Sequence, residues 1–250
     1  SDFFAGAAVS PFKATEAEQM TQYYKLKMKI GAGAGFIVTQ LGYDMRKFHE
    51  ALQFIRENGF DLPVVGNIYI LPFGAARMMN QNRIPGCVVP DKLVAELDQE
   101  RTAPDKGEEA RLLRAARMYA IMKGMGFSGV HIGGHNIKYE QVERIIEQGE
   151  GLSKGWQELV RHFDYPQPKG FYYYERDPAT GLNTATQTKR EGRPLDAPVP
   201  FSYRMSRQFH KQMFIPGKNL YSLVRKISEK VDGSKVEGAF HRLEHLIKVF

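Results

Sequence analysis

Apolar segments suited to buried strands alternate with segments of helical spacing through the first 150 residues. The predicted strands span residues 3–9, 35–40, 62–70 and 128–132. The predicted helices span residues 15–30, 45–57, 73–80, 90–99, 106–123 and 140–148. Thr15 with Glu18 forms a capping-box pattern, Asp44 is a candidate N-cap, and Asn58-Gly59 is a helix-stop signal. Strands that alternate with helices predict a parallel sheet, because parallel neighbours need a crossover that is usually helical.

The pattern fits either an open α/β sheet or part of a (β/α)8 barrel. From about residue 155 it changes: two prolines, an aromatic run at 171–174 and a Gly- and Pro-containing stretch at 177–200 predict irregular structure. Two amphipathic helices are predicted near 220–231 and 236–249. We therefore expect two modules, residues 1–150 and residues 151–250, the second one mostly irregular and helical.

The composition is that of a globular protein, with 42% hydrophobic and 25% charged residues. No apolar run approaches the roughly 20 residues that a membrane helix needs, and the first residues lack the pattern of a secretory signal. We therefore expect a cytoplasmic protein that does not bind membranes. The single cysteine, Cys87, lies in an apolar setting that predicts a packing role.

The formal net charge is +7, which favours acidic ligands such as dinucleotides or polyglutamylated cofactors. The 35 Lys and Arg residues are spread along the chain and form no basic arm. Nucleic acid is therefore not an expected partner.

Two motifs resemble ligand sites but are better explained as structure. The glycines of residues 31–35 lie between a helix and a strand, whereas a phosphate loop follows a strand and opens a helix. His241-Arg242-Leu243-Glu244-His245 has the spacing of one zinc-protease group, but no third ligand is evident. We expect a tight turn at the glycines, a polar helix face at residues 241–245, and no metal site.

Two positions at strand ends are candidates for ligand contact, since the carboxyl ends of parallel strands face the ligand crevice in α/β folds. His131-Ile132-Gly133-Gly134-His135 ends the fourth strand, where Gly133, Gly134 or His135 could contact a ligand and His131 could equally be a core residue. Gln40 ends the second strand. A neutral amide is costly to bury without partners, so a ligand contact or a structural hydrogen bond would explain it.

The segment from Lys25 to Gln40 resembles the signature of the methylenetetrahydrofolate reductase family: a lysine-rich helix, Ala32-Gly33-Ala34, and a strand ending Val38-Thr39-Gln40. The resemblance continues through Tyr43-Asp44, residues 59–64, Ile70-Leu71-Pro72 and Ile84-Pro85, and ends with residues 129–132. The order and spacing match strands five to eight of the family's (β/α)8 barrel. The resemblance thus implies a TIM-barrel type fold of which this chain carries those four strands.

The resemblance also implies a reaction and a set of site residues. The family's barrel binds FAD, and reduced flavin reduces 5,10-methylenetetrahydrofolate to 5-methyltetrahydrofolate, with NADH, NADPH or another donor reloading the flavin. Gln40 matches the glutamine that binds the folate pterin, and Tyr43 lies beside it in the same motif. Lys29 matches a lysine near the flavin phosphates, and the strand of Ala7, Ala8 and Val9 matches one whose end contacts the flavin. The family's catalytic acid is expected on strands before these four.

One stretch departs from the family pattern. Members commonly have Ala-Ala-Tyr-Pro-Glu-x-His where this chain has Ala7-Ala8-Val9-Ser10-Pro11-Phe12-Lys13, so the tyrosine and the histidine are replaced. Residues 151–250 resemble the C-terminal extension of some members, which is followed there by a cysteine-rich segment.

An open half-barrel exposes two edge strands and an apolar face, so we expect a fragment or one of two pieces. Its partner would be the remainder of the barrel or a second chain, in a homo-oligomer. Two other functions stay open: a non-catalytic folate-binding or assembly subunit, and a folate-dependent methyl-transfer enzyme without flavin.

Overall fold

The computed structural model describes residues 3–188, 201–214, 217–218 and 220–222. Two compact units divide the chain, Ser1–Lys189 and Arg190–Phe250. In the second unit, the described residues form one long helix, α8 (Phe201–Phe214), and a helical stretch at 220–222.

The first unit alternates strands and helices as the hydrophobic pattern predicts. Its strands are β1 (Gly6–Val9), β2 (Phe36–Thr39), β3 (Val64–Tyr69), β4 (Gly129–Gly133), β5 (Tyr174–Arg176) and β6 (Asn183–Gln187). Its helices are α1 (Glu16–Gly31), α2 (Met45–Glu57), α3 (Phe73–Asn80), α4 (Asp91–Glu100), α5 (Glu108–Met125), α6 (Tyr139–Leu152) and α7 (Trp156–Leu159). Short 3-10 turns flank α7 at Ser153–Gly155 and Val160–Phe163.

The first four strands form one parallel sheet in the order β1-β2-β3-β4. This confirms the predicted α/β fold with a parallel sheet, an architecture consistent with the TIM-barrel type. Within the described residues, β1 and β4 each have a strand neighbour on one side only. Both are therefore edge strands, as expected for a sheet that is not closed.

The two faces of the sheet differ in burial, because successive side chains in a strand point to opposite faces. Ile37, Val64 and Ile68 lie on the buried face and belong to the hydrophobic core. The other face carries the alternate residues, which are exposed or half-buried; we call it the open face. It consists of Gly6, Ala8, Phe36, Val38, Val65, Asn67, Tyr69, Gly129, His131 and Gly133.

Local sequence signals explain where α1 begins and how it meets β2. The Thr15 side chain accepts from the Glu18 amide and the Glu18 carboxylate accepts from the Thr15 amide, so the predicted capping box is present. The helix ends at Gly31, and Gly33 has a φ of +101°, a conformation that favours glycine. The glycine-rich segment is therefore the predicted helix-to-strand turn.

The segment after α6 is more regular than the sequence predicted. Irregular structure was expected from about residue 155, but the chain forms α7 and an antiparallel hairpin of β5 and β6. The hairpin and its preceding residues contact α2 through many hydrogen bonds, so residues 151–188 belong to the same compact unit as the sheet. The two compact units of the structure meet after residue 189 and not after residue 150. The modules 1–150 and 151–250 describe sequence resemblance and stay a prediction.

Some predictions fall outside the described residues. The helix predicted at 236–249, most of that at 220–231, and the motif at 241–245 all lie there. Cys87 is 8% exposed and belongs to the core, as its apolar setting predicted. In the part of the chain that the structure describes, none of the helices has the length and apolar character needed to cross a membrane.

Candidate functional site

The carboxyl ends of the four parallel strands meet at one edge of the sheet, which is where ligands bind in α/β folds. Val9, Thr39, Tyr69 and Gly133 end their strands there. The side chains on the open face at this edge, together with Gln40 just beyond β2, are the candidate site. They include Gln40, Asn67 and His131.

Gln40 is half-buried just beyond β2. Its backbone amide donates to the Val9 carbonyl at 2.7 Å, which continues the ladder between β1 and β2. Its side-chain Oε1 accepts from the Leu41 amide at 2.9 Å, and Nε2 lies 3.5 Å from the position that a β-carbon on Gly86 would take. Among the described residues Nε2 donates no hydrogen bond. The amide is thus held by its oxygen, and its two N–H donors are available to a ligand.

Tyr43 follows Gln40 closely but is buried. Its side chain is 1% exposed, and its hydroxyl donates to the carbonyl of Tyr69 at 3.1 Å. Burial raises the pKa of this phenol well above its ordinary value, so the hydroxyl stays protonated. The geometry suits Tyr43 to fixing the end of β3 and leaves it little surface for a direct ligand contact.

The residues that the resemblance assigns to a flavin lie close together: three belong to β1, and Lys29 reaches this strand from α1. Lys29, in the last turn of α1, donates through Nζ to the Ala8 carbonyl at 2.6 Å. Ala8 is exposed on the open face, whereas Val9 is 3% exposed and points to the core side, which Ala7 also faces. Only Ala8 of the three therefore presents its side chain to the open face.

Asn67 and His131 form a contact that the sequence did not predict. They are register partners on β3 and β4, and His131 Nδ1 lies 3.2 Å from Asn67 Oδ1. His131 is exposed, so the alternative of a core histidine is wrong. The contact requires the strand register, which no local sequence signal gives. His135 is exposed in the turn that follows β4.

Positive charge lies on α3 and just beyond it, and α3 starts at the same edge of the sheet because it follows β3. Arg77 and Arg83 line an open pocket of about 300 Å³ together with Phe73. The guanidinium of Arg101 lies 4.4 Å from the centre of the Phe73 ring. Neither Arg77 nor Arg83 forms an ion pair with a residue that the structure describes. This pocket is suited to an anionic group.

A buried polar network attaches the segment of residues 171–187 to α2. Glu50 is fully buried and accepts from the Tyr23 hydroxyl at 2.7 Å, the Lys47 ammonium at 3.1 Å and the Tyr173 amide at 2.6 Å. Lys47 also donates to the Phe171 carbonyl at 2.5 Å. Burial lowers the pKa of Lys47, and the neighbouring Glu50 carboxylate opposes that shift. The pair therefore has the hydrogen bonds that a buried ion pair needs.

The same network reaches the N-terminus of α2, next to the loop that carries Gln40. Asp44 caps the helix by accepting from the Arg46 amide at 2.9 Å, and it also accepts from the Tyr172 hydroxyl. Burial raises the pKa of Asp44. Arg46 donates to Asn183 Oδ1 at 2.9 Å and to the Tyr174 carbonyl at 2.7 Å. The segment after α6 thus fixes the helix that begins five residues beyond Gln40.

Metal ligands are not grouped in the described residues: no cluster there of three or more His, Cys, Asp or Glu side chains could hold a metal ion.

Comparison with known proteins gives one family match and one structural likeness. The solved structures that match include one described as "Uncharacterized protein from Clostridium thermocellum binds two copies of 5-methyl-5,6,7,8-tetrahydrofolic acid". The two chains are 12% identical with a TM-score of 0.40, and the match covers 61% of this chain and 54% of the other. This chain thus spans about half the length of that protein, and a likeness this weak supports no inference on fold or function. No curated protein matches the chain.

The family comparison is decisive. The sequence model described as methylenetetrahydrofolate reductase matches residues 2–149, which is more than half of the chain. The matched range contains the four-stranded parallel sheet, Gln40 and the Asn67–His131 contact. The chain therefore belongs to the methylenetetrahydrofolate reductase family.

Proposed function

We propose that this chain takes part in the FAD-dependent reduction of 5,10-methylenetetrahydrofolate to 5-methyltetrahydrofolate, in the one-carbon metabolism of the cytoplasm. Its four parallel strands would correspond to strands five to eight of a (β/α)8 barrel. The observation that carries the proposal is Gln40, which lies within the range that matches the family and whose amide nitrogen is available at the ligand edge of the sheet.

The folate would bind across the open face with its pterin at Gln40. An amide offers two donors and an acceptor, which suits a ring edge of mixed carbonyl and N–H groups. The glutamate end of a folate is anionic, and Arg77 and Arg83 supply positive charge in the pocket on α3. Tyr43 would act through the end of β3, since it is buried.

The residues on β1 fit a flavin in part. Ala8 is small and exposed, so it leaves room on the open face, and Lys29 is a cation at the same strand. The space above Gly6 is instead filled by the ring of Phe36. Ala8 and Lys29 would hold the group, while Ala7 and Val9 could contribute only their backbone. When bound, a reduced flavin supplies hydride, and NADH, NADPH or another donor supplies its electrons.

A second candidate function is a folate-binding subunit that does not use flavin. Val9 and Lys13 stand where the family commonly has a tyrosine and a histidine, and the Lys29 ammonium is already engaged by the Ala8 carbonyl. The open face and the two edge strands would then serve mainly to bind a partner, either the rest of a barrel or a second copy.

Binding of 5-methyltetrahydrofolate to the full 250-residue chain, measured by calorimetry, tests the proposal. Gln40→Ala should weaken binding about tenfold to a hundredfold, because it removes one or two hydrogen bonds of about 1–1.5 kcal/mol each. Gln99→Ala, on the exposed side of α4, is the matched control and should bind like the wild type.

Titration with FAD, followed by the flavin absorbance spectrum, separates the two candidates. Saturable FAD binding that weakens in Lys29→Ala supports the reductase. Folate binding without FAD binding supports the flavin-independent subunit. Absence of folate binding by the wild-type chain would contradict both.

A further inference from the structure

We infer that His131, held by Asn67, is a second ligand contact that recognises the pterin ring of the folate together with Gln40. The inference rests on the proposed function and adds to it the group that faces Gln40 across the site. Its basis is the arrangement of three side chains across β2, β3 and β4.

The three residues form a row on the open face. Asn67 pairs with His131. The pairing of β2 with β3 ends at Val38 with Val65, so Gln40, two residues farther along, reaches the level of Asn67 from just beyond the paired part of β2. The Asn67 amide donates to Thr39 Oγ1 at 3.1 Å, which holds the ends of β2 and β3 together at this level. Adjacent strands lie about 4.8 Å apart, so the row spans roughly 10 Å.

The surroundings of the row favour a flat ligand. One level toward the amino ends of the strands, the open face carries Ala8, Val38, Val65 and Gly129, which are small or aliphatic, and beyond them the ring of Phe36 covers Gly6. Such residues form an even surface on which a planar ring can lie. At this level and the next one toward the amino ends, the polar groups lie in one line, as expected where the edge of a ring is recognised rather than its face.

The imidazole of His131 has a defined orientation. Asn67 Oδ1 can only accept, so the contact favours the tautomer of His131 that has its proton on Nδ1. Cε1 lies 3.2 Å from the position that a β-carbon on Gly133 would take, so the ring extends along β4 toward the ligand edge over a residue without a side chain. A larger residue at 133 would displace it.

The second nitrogen of the ring, Nε2, has no hydrogen-bond partner among the described residues. In the neutral imidazole it is an acceptor, because Nδ1 holds the proton. Gln40 offers donors through Nε2 on the other side of the row. A ring edge with a carbonyl next to N–H groups would accept from Gln40 and donate to His131. The pterin edge has one carbonyl followed by two N–H donor groups.

An isoalloxazine ring shares part of this chemistry, since its edge also alternates carbonyl and N–H groups. We assign the row to the pterin because the pterin edge offers two donor groups and His131 supplies an acceptor. Asn67 is a positioning residue: it acts through the orientation of His131.

Binding of 5-methyltetrahydrofolate to the full chain, by calorimetry, is the first part of the test. We expect His131→Ala to weaken binding about tenfold, His131→Gln to recover part of the loss because its amide keeps an acceptor, and Asn67→Ala to weaken binding about threefold. His162→Ala, an exposed histidine beyond α7, should bind like the wild type. Thermal unfolding of each variant reports any loss of fold separately.

The second part measures a signal that would stay unchanged if His131 had a purely structural role. In protein labelled with ¹⁵N-histidine, the His131 Nε2 resonance should shift on addition of 5-methyltetrahydrofolate and not on addition of FAD. Unchanged binding in His131→Ala, with Gln40→Ala still defective, would overturn this inference alone. A shift with FAD instead of folate would overturn the assignment to the pterin. A wild-type chain that binds no folate would overturn the inference together with the proposed function.

Discussion

Replacement of Glu50 by alanine tests the buried network on α2. The carboxylate is fully buried and is the acceptor for Tyr23, Lys47 and Tyr173. Its removal leaves the Lys47 ammonium, itself 3% exposed, without its counter-ion, and breaking a buried pair in this way costs about 3–5 kcal/mol. We expect Glu50→Ala to lower the free energy of unfolding by that amount in urea titrations followed by near-UV circular dichroism.

Two further variants make the result specific. Glu143→Ala changes a glutamate in the middle of α6 that is exposed, so it should lower the unfolding free energy by less than about 0.5 kcal/mol. Lys47→Met added to Glu50→Ala removes the uncompensated charge and should recover about 1–2 kcal/mol. If Glu50→Ala and Glu143→Ala unfold at the same urea concentration, the network contributes no stability and the reasoning is refuted.

Three other outcomes follow from packing, burial and titration. Gly124→Ala would place a β-carbon 2.2 Å from the ring of Trp156, so it should destabilise the chain by about 1–3 kcal/mol and change the fluorescence of this single tryptophan. Gly151→Ala, on α6 with open space around it, should leave both unchanged or raise stability slightly. Burial lowers the pKa of His49, whose Nδ1 accepts from a backbone amide of β6, so the unfolded chain binds the proton more tightly. The free energy of unfolding should therefore fall as the pH drops below 6.5, by at most about 1.4 kcal/mol per pH unit. Urea titrations at pH 7.5 and 5.5 measure this loss, which should be smaller in His49→Gln. Burial raises the pKa of Cys87, so iodoacetamide at neutral pH should alkylate it only after urea is added, and fast reaction in the native chain would contradict the burial.

The sequence predicted the features that local chemistry controls. The helix α2 has the bounds expected from Asp44 and from Asn58-Gly59, and α3 also has its predicted limits. The order of strands and helices follows from hydrophobic spacing, which is a local property. The position of Gln40 at the ligand edge follows from that order, because a residue that ends a parallel strand lies at the carboxyl edge of the sheet.

Features that depend on distant contacts were not predictable from the pattern. The strand β6 has the sequence Asn-Thr-Ala-Thr-Gln, which lacks apolar alternation, and it is held by α2 through contacts such as that of Gln53 with the Thr184 carbonyl at 3.0 Å. Lys47 and Glu50 have the spacing of a solvent-facing helix pair and are instead covered by residues far along the chain. The Asn67–His131 contact depends on register between strands 64 residues apart.

The burial of α2 on both of its faces limits how this protein can be shortened. A chain that stops at residue 150, where the hydrophobic pattern changes, would keep every strand of the parallel sheet. It would nevertheless open the charged side of α2 to water and remove the hydrogen bonds that Asp44, Arg46 and Lys47 form with residues 171–174. The shortest folded version of the unit that contains the parallel sheet should therefore keep the hairpin through the end of β6 at Gln187. Deletions within 171–187 should behave like lesions of the hydrophobic core, although that segment is largely polar.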